Sequence, residues 1–149
     1  MPLVCKYTAL HVPNLRSAED FYRRAFGMEV LFREAERDGE WWTLPIGKGW
    51  ESAGAAGVEI GMVGLRRDQL VLALFPGAPA PGTVYELCLG LSPDEIDGLL
   101  SRVPEGVTIL ERHHGFVRFE DPFAFRWMLQ EPEVAFRSSG EIAGRWLDV

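Results

Sequence analysis

Cysteines and long apolar runs are scarce in this sequence of 149 residues, and each scarcity excludes a class of protein. The chain has two cysteines, Cys5 and Cys88, which cannot supply the disulfide framework of a small secreted domain. No apolar run approaches the roughly 20 residues that a membrane-spanning helix needs, and the first residues lack the layout of a signal peptide. The sequence therefore predicts a cytoplasmic protein with no membrane partner.

Positively charged residues are also scarce. The 15 Lys and Arg residues are outnumbered by 22 Asp and Glu residues, which gives a net charge of −7 at pH 7. Since no run of basic residues could neutralise a phosphate backbone, nucleic acid is excluded as a partner. Glycine-rich phosphate loops, dinucleotide fingerprints and nucleophile elbows are absent from the sequence as well. With 47% apolar residues, the composition is typical of an ordinary globular domain.

The first half of the chain predicts strands around one helix. KYTALHV predicts a strand, and Asn14 and Gly27 mark the two ends of a helix. Two strands then meet at the turn Arg37-Asp38-Gly39. GKGWESAGAAG, rich in glycine and alanine, predicts a loop, and the runs VEIGMV and QLVLALF predict further strands.

The second half repeats this order after the proline-rich string FPGAPAPG. VYELCLGL predicts a strand, Ser92 begins a helix, and VTILER, FVRFE and FRWMLQ predict three short strands. Both halves therefore follow the order strand–helix–strand–strand–strand. We expect one α+β domain with module one over about residues 3–75, a linker over 76–82, module two over about 83–131 and a tail over 132–149.

Several short motifs, in this order along the chain, resemble those of one protein family. Val12-Pro13-Asn14-Leu15 leads into the aromatic pair Phe21-Tyr22 and then Phe26-Gly27, and Asp121-Pro122 precedes the last predicted strand. With the mid-chain strand YELCLGL, they resemble the glyoxalase/bleomycin-resistance/extradiol-dioxygenase superfamily, the vicinal oxygen chelate proteins, over roughly residues 3–131. The resemblance implies two paired βαβββ modules whose curved mixed sheet surrounds a cavity, usually in a homodimer.

The resemblance also implies a metal site, of which this sequence retains only a part. Enzymes of the family hold one divalent metal with His and Glu ligands on the first and last strands of the modules. The matching positions here are Tyr7, Ala73, Glu86 and Met128, and Phe123-Ala124-Phe125 replaces the usual polar turn. A hard divalent cation needs several good ligands, and only Glu86 is one. We therefore expect no metal cofactor, although a non-standard set of Tyr7, Glu86 and a relocated histidine stays open.

The three histidines are scattered and form no spaced metal motif. His113 and His114 are adjacent and precede Gly115, which is typical of an exposed turn. His11 ends the first predicted strand beside the helix cap, where we expect a structural or rim role.

Alternation along the strands, with the placement of the tryptophans, predicts which side chains contact a ligand. Glu86 and Arg126 fall on neighbouring strands and either form a salt bridge or orient the ligand. Trp42 is one of two adjacent tryptophans, of which one faces the core. Trp50, in the glycine-rich loop, either stacks on a planar ligand or packs on the protein's own surface or a partner subunit. The predicted ligand-binding residues are Tyr7, Trp42, Trp50, Phe75, Glu86, Arg126 and Met128.

Two functions follow from this predicted lining. The first is a metal-independent protein that binds or sequesters a small organic molecule, resembling the bleomycin-resistance branch of the family and its role in antibiotic resistance. An acidic protein with an aromatic cavity suits a planar, cationic ligand. The alternative is a lyase, isomerase or dioxygenase of the same superfamily. In that case Glu86 is the candidate catalytic residue, as a general base or as part of a non-standard metal site.

Overall fold

The computed structural model of the chain describes residues 3–77, 83–102, 106–120, 126–132 and 136–149. Residues 78–82 of the predicted linker, Asp121-Pro122 and Phe123-Ala124-Phe125 lie outside the described residues. The described elements combine helices with a mixed sheet and confirm the α+β class. In chain order they are β1 (Val4–Val12), α1 (Leu15–Phe26), β2 (Glu29–Arg37), β3 (Glu40–Thr43), α2 (Trp50–Ala55), β4 (Met62–Arg67), β5 (Leu70–Pro76), β6 (Val84–Gly90), α3 (Pro93–Leu100), β7 (Thr108–His113), β8 (Phe116–Glu120), β9 (Arg126–Gln130) and α4 (Ser139–Ala143).

Local signals for the first helix and hairpin are confirmed. The Asn14 side chain accepts a hydrogen bond of 2.8 Å from the Ser17 amide, which caps α1 at its start. Gly27 ends the helix in the left-handed region, with φ of 63°. Asp38 and Gly39 both have positive φ, at 54° and 78°, which suits the tight turn between β2 and β3.

The predicted loop GKGWESAGAAG contains a helix, so that prediction was wrong. Helix α2 covers Trp50–Ala55 and begins after Gly49 at the N-cap. Glutamate and alanine are strong helix formers, and Ala53 is 1% exposed because it packs into a hydrophobic cluster. Helix α2 is too short to form alone, so tertiary packing must stabilise it. The glycines of this segment led to the prediction of a loop.

The chain divides into two compact units, and the boundary falls inside β1. The α1 unit consists of residues 10–83 and 137–149, and the α3 unit consists of residues 1–9 and 84–136. Within the described residues, no helix is both long and apolar enough to cross a membrane.

In the α1 unit, the strand order is β3-β2-β4-β5-β1, with antiparallel pairing from β3 through to β5. Leu65 of β4 lies opposite Leu72 of β5, and both are buried beneath α1. Val63 and Leu74 are fully buried in the same cluster. Burial of apolar surface therefore decides which face of β4 and of β5 points to the core.

The C-terminal segment joins the α1 unit through a buried carboxylate. Glu34 of β2 is 2% exposed and accepts hydrogen bonds of 2.6 Å from the Thr43 hydroxyl and 2.6 Å from the Ser139 amide. The Thr43 hydroxyl in turn accepts a bond of 2.7 Å from the Gly140 amide. A parallel bridge pairs Thr43 with Trp146. These bonds satisfy the first amides of α4, which would otherwise lack partners.

Gly140 lets the Trp146 ring approach α4 closely. A Cβ at position 140 would lie 2.6 Å from Trp146 Cδ2 and Cε2, inside any van der Waals contact. We expect Gly140→Ala to lower the free energy of unfolding by about 2 kcal/mol, because the ring must move. Urea unfolding followed by tryptophan fluorescence measures the loss. Gly54→Ala is the matched control, since it is helical and its Cβ would meet nothing within 4 Å. Equal stability of the two variants would contradict the prediction.

In the α3 unit, the strand order is β1-β6-β9-β8-β7. β6 and β9 run parallel, while β9, β8 and β7 are antiparallel. Helix α3 packs on this sheet through Ile96, which is 2% exposed, against Val117 and Leu129. The opposite face of β8 and β9 carries Arg118 and Met128 by alternation, and this face holds the candidate site.

Candidate functional site

Three of the four predicted family ligand positions meet in the α3 unit. The Tyr7 hydroxyl donates a hydrogen bond of 2.7 Å to Glu86 Oε1 and lies 3.4 Å from Met128 Sδ. The three residues are 6%, 5% and 8% exposed, so the cluster is buried. Parallel pairing of β6 with β9 sets Cys88 opposite Met128, and the Tyr7 hydroxyl contacts side chains of both strands, Glu86 on β6 and Met128 on β9. The fourth position, Ala73, is a fully buried residue of the α1 unit.

Arg118 of β8 completes this cluster, and the sequence-based prediction missed it. Its Nε lies 3.0 Å from Glu86 Oε2, and its Nη1 donates a hydrogen bond of 3.1 Å to Glu111. Within the described residues Nε has no hydrogen-bond partner, so its contact with Glu86 is an ion pair. The alternation of Val117 and Phe119 into the core, which places Arg118 on the Met128 face, is the signal that could have found it.

Burial and charge fix the protonation of the cluster. Burial, followed by the charge of Glu86, raises the pKa of Tyr7 well above its usual value, so the phenol keeps its proton and acts as a donor. Burial alone would lower the pKa of Arg118, but the charges of Glu86, Tyr7 and Glu111 raise it on balance. Arg118 is therefore a permanent cation. Burial also raises the pKa of Cys88 to about 12, so its thiol is neutral and unreactive at neutral pH.

Two aromatic rings, Phe136 and Phe116, contact these polar groups. Phe136 stacks on Tyr7 with ring centroids 4.6 Å apart and an interplanar angle of 21°. The Arg118 guanidinium carbon lies 5.9 Å from the Phe116 ring centroid. Glu111, whose side chain is 42% exposed, links this cluster to the surface. The site thus combines a charged centre with flat apolar surfaces.

Glu86 and Arg126 lie on neighbouring strands, as predicted, but of the two roles left open for them the described residues do not show the salt bridge. Arg126 lies directly opposite Glu120 in the antiparallel ladder, and its Nε is 4.0 Å from that carboxylate. Its Nη1 donates a hydrogen bond of 2.5 Å to the Tyr85 hydroxyl. Arg126 therefore has partners of its own, and Arg118 takes the position beside Glu86.

Of the two adjacent tryptophans in β3, the predicted one does not share a face with Phe75. Trp42 packs against the core cluster of the α1 unit, and the Arg37 guanidinium lies 5.5 Å from its ring. Trp41 makes an edge-on contact with Phe75 at 6.0 Å between centroids. Alternation along β3 shows that Trp41 and Trp42 point to opposite faces, but not which of them points to the core. The pairing of β2 with β3 decides this.

Trp50 is not a free rim residue. Its Nε1 donates a hydrogen bond of 3.1 Å to the buried carboxylate of Glu19 on α1. The guanidinium carbons of Arg16 and Arg33 each lie 5.8 Å from its ring centroid. Trp50 is therefore anchored against α1, which agrees with the alternative that it packs on the protein's own surface.

The donor set beside Glu86 does not fit a divalent metal. The Tyr7 hydroxyl is protonated and donates toward the carboxylate, and the Arg118 cation lies on its other oxygen. His113, the last residue of β7, has a side chain that is 65% exposed, and its Nε2 contacts Glu111 Oε1 at 2.8 Å. His114 lies in the turn with Gly115, as predicted, but His113 belongs to β7 and not to the turn. Across the described ranges, no group of at least three His, Cys, Asp or Glu side chains could hold a metal ion.

Comparison with known proteins identifies relatives by sequence and by fold. The sequence model of the glyoxalase/bleomycin resistance protein/dioxygenase superfamily matches residues 5–129. No curated protein matches the sequence significantly. A hypothetical protein from Bacillus halodurans C-125 aligns with a TM-score of 0.50 at 10% identity, over 90% of this chain and 99% of that one. A lactoylglutathione lyase from Agrobacterium tumefaciens aligns with a TM-score of 0.30 at 21% identity, over 88% and 95%. A catechol 2,3-dioxygenase aligns with a TM-score of 0.43 at 12% identity, over 89% of this chain and 46% of that one. At 10% identity, the likeness to the Bacillus halodurans protein concerns the fold alone.

Proposed function

Because the chain belongs to the glyoxalase/bleomycin resistance protein/dioxygenase superfamily, we propose that it is a metal-independent protein that binds a small organic molecule. The ligand lies on the face of the α3 unit that carries Tyr7, Glu86 and Arg118. One observation carries this proposal. Both oxygens of the buried Glu86 carboxylate already have protein partners, the Tyr7 hydroxyl on Oε1 and the Arg118 cation near Oε2. The carboxylate is thus balanced without an added ion.

The charges of this face support a cationic ligand. Arg118 is shared by two carboxylates, Glu86 and Glu111, while Tyr7 is neutral, so the cluster carries a net negative charge. The chain as a whole carries −7. Such a field attracts cations, and the aromatic rings of Phe116 and Phe136 suit a planar or amphipathic one. Sequestration of a cationic antibiotic by a cytoplasmic homodimer is the biological form of this proposal.

The enzymatic alternative has less support. A general base needs a free lone pair directed at the substrate proton. Glu86 is 5% exposed, and its two oxygens already contact the Tyr7 hydroxyl and the Arg118 guanidinium, so little of the carboxylate is open to a substrate. We therefore place Glu86 in the binding site as a fixed charge.

A titration with matched ligand pairs tests the proposal. Planar organic cations and their neutral isosteres are added to the protein, and binding is followed by calorimetry and by tryptophan fluorescence. We expect saturable binding of cations, and we expect Glu111→Gln to weaken it about fivefold, because an exposed charge contributes up to roughly 1 kcal/mol. Neutral isosteres should bind equally to both proteins.

Glu120→Gln is the matched control for this titration. Glu120 has a similar exposure, at 39% of its side chain, but it lies beside Arg126 rather than Arg118. Cation affinity should be the same in this variant as in the unaltered protein. A panel in which no cation binds, or in which Glu111→Gln weakens neutral compounds equally, would contradict the proposal.

A further inference from the structure

The charge next to Glu86 has a specific role in the choice of ligand. We infer that the Arg118 guanidinium is a built-in cation, which takes the electrostatic place of a divalent metal beside Glu86 and excludes such a metal from the site. Arg118 is therefore a residue that determines specificity. It keeps a divalent cation away from the buried Glu86 carboxylate, whereas the organic cation of the proposed function is attracted by the exposed carboxylate of Glu111.

The burial of Glu86 requires a cation at this place. A carboxylate that is 5% exposed is strongly disfavoured unless an opposite charge and hydrogen bonds compensate for lost hydration. The Tyr7 hydroxyl supplies a hydrogen bond but no charge. Arg118, 3.0 Å from Oε2, supplies the charge.

The guanidinium is held in place from several sides. Glu111 accepts a hydrogen bond from Nη1, and the Phe116 ring lies beneath the guanidinium carbon at 5.9 Å. The Arg118 side chain is 31% exposed, so a good part of it is packed against protein. A cation fixed in this way does not move aside for a second cation at little cost.

A divalent metal on Glu86 would stand within a few ångströms of this fixed positive charge. Like charges at such a distance repel strongly in a partly buried site. The other family positions do not compensate, because Tyr7 donates a proton rather than a lone pair and Met128 offers a thioether suited to soft metals. Exclusion of hard divalent cations is thus a property of Arg118 together with the lost ligands.

Rebuilding the lost ligands tests the role of Arg118 directly. The background variant Tyr7→His/Met128→Glu restores a histidine and a second carboxylate beside Glu86. It is prepared with Arg118 retained and with Arg118→Gln, and metal-stripped samples are titrated with Zn²⁺, Ni²⁺ and Mn²⁺ by calorimetry. We expect removal of the guanidinium to tighten metal binding on the order of 100-fold or more. Arg112→Gln in the same background is the matched control, because Arg112 is an exposed β7 residue paired with Asp97, and it should change nothing.

Equal metal affinity with and without Arg118 would overturn the inference. If the doubly rebuilt variants lose their circular-dichroism spectrum, the comparison is made in the Met128→Glu background, with Arg118 retained and with Arg118→Gln. There Mn²⁺ should bind at least about tenfold more tightly without the guanidinium, and adding Glu86→Gln should abolish the binding; equal affinity overturns the inference.

The inference shares one premise with the proposed function, namely that the site beside Glu86 works without a metal. Tight metal binding by the unaltered protein through Glu86 would contradict both. If no organic ligand binds but Arg118→Gln still tightens metal binding as expected, only the proposed function is contradicted.

Discussion

Replacing Glu34 with alanine is expected to detach the C-terminal segment from the α1 unit and to lower the free energy of unfolding by about 3 kcal/mol. Glu34 is 2% exposed and binds the Thr43 hydroxyl and both the amide and the hydroxyl of Ser139. Hydrogen bonds to a charged acceptor are among the strongest in proteins. Alanine leaves these donors buried without a partner, which costs more than the bonds themselves contribute.

Urea unfolding measures this loss, and hydrogen exchange locates it. The amides of Ser139 and Gly140 should exchange faster in the variant, because α4 loses its anchor. Glu36→Ala is the matched control. Glu36 lies two residues further along β2 on an exposed position, so its removal should change stability by less than about 0.5 kcal/mol. A Glu34 variant no less stable than the Glu36 variant would show that the buried network does not hold the tail.

The elements of the fold could largely be predicted from local signals. Caps such as Asn14 and turn residues such as Asp38 act on their immediate neighbours, so the sequence contains all that is needed to place them. Helix α2 could not be placed in this way, because it depends on the burial of Ala53 against distant residues. The bond between Glu34 and Ser139 joins residues 105 positions apart, and no local pattern encodes it.

The candidate site could be predicted in part for the same reason. Tyr7, Glu86 and Met128 occupy positions that can be counted from family motifs, and the structure brings them together. Arg118 could not be found by that count, because its place beside Glu86 depends on the pairing of β8 with β9 and of β9 with β6. For Trp50 the sequence left two positions open, because its anchor, Glu19, lies on α1 and is brought to Trp50 only by the tertiary structure.

Removal of the Arg118 charge is expected to destabilise the α3 unit. Arg118→Met keeps most of the apolar stem but leaves Glu86 as a buried carboxylate with no cation beside it. Breaking a buried ion pair on one side costs roughly 3–5 kcal/mol, and we expect a loss of about 3 kcal/mol because Arg118 is only partly buried. Glu86→Gln should cost less, since Arg118 keeps its hydrogen bond to Glu111.

A double-mutant cycle separates this effect from lost packing. The free energies of unfolding of Arg118→Met, Glu86→Gln and the double variant are measured by urea denaturation. If the ion pair is the cause, the double variant is more stable than the sum of the single losses predicts, because the uncompensated charge is gone. Arg112→Met, at an exposed ion pair with Asp97, should cost less than about 1 kcal/mol. Additive losses across the cycle would mean that Arg118 stabilises the unit by packing, and that the Glu86 charge does not need it.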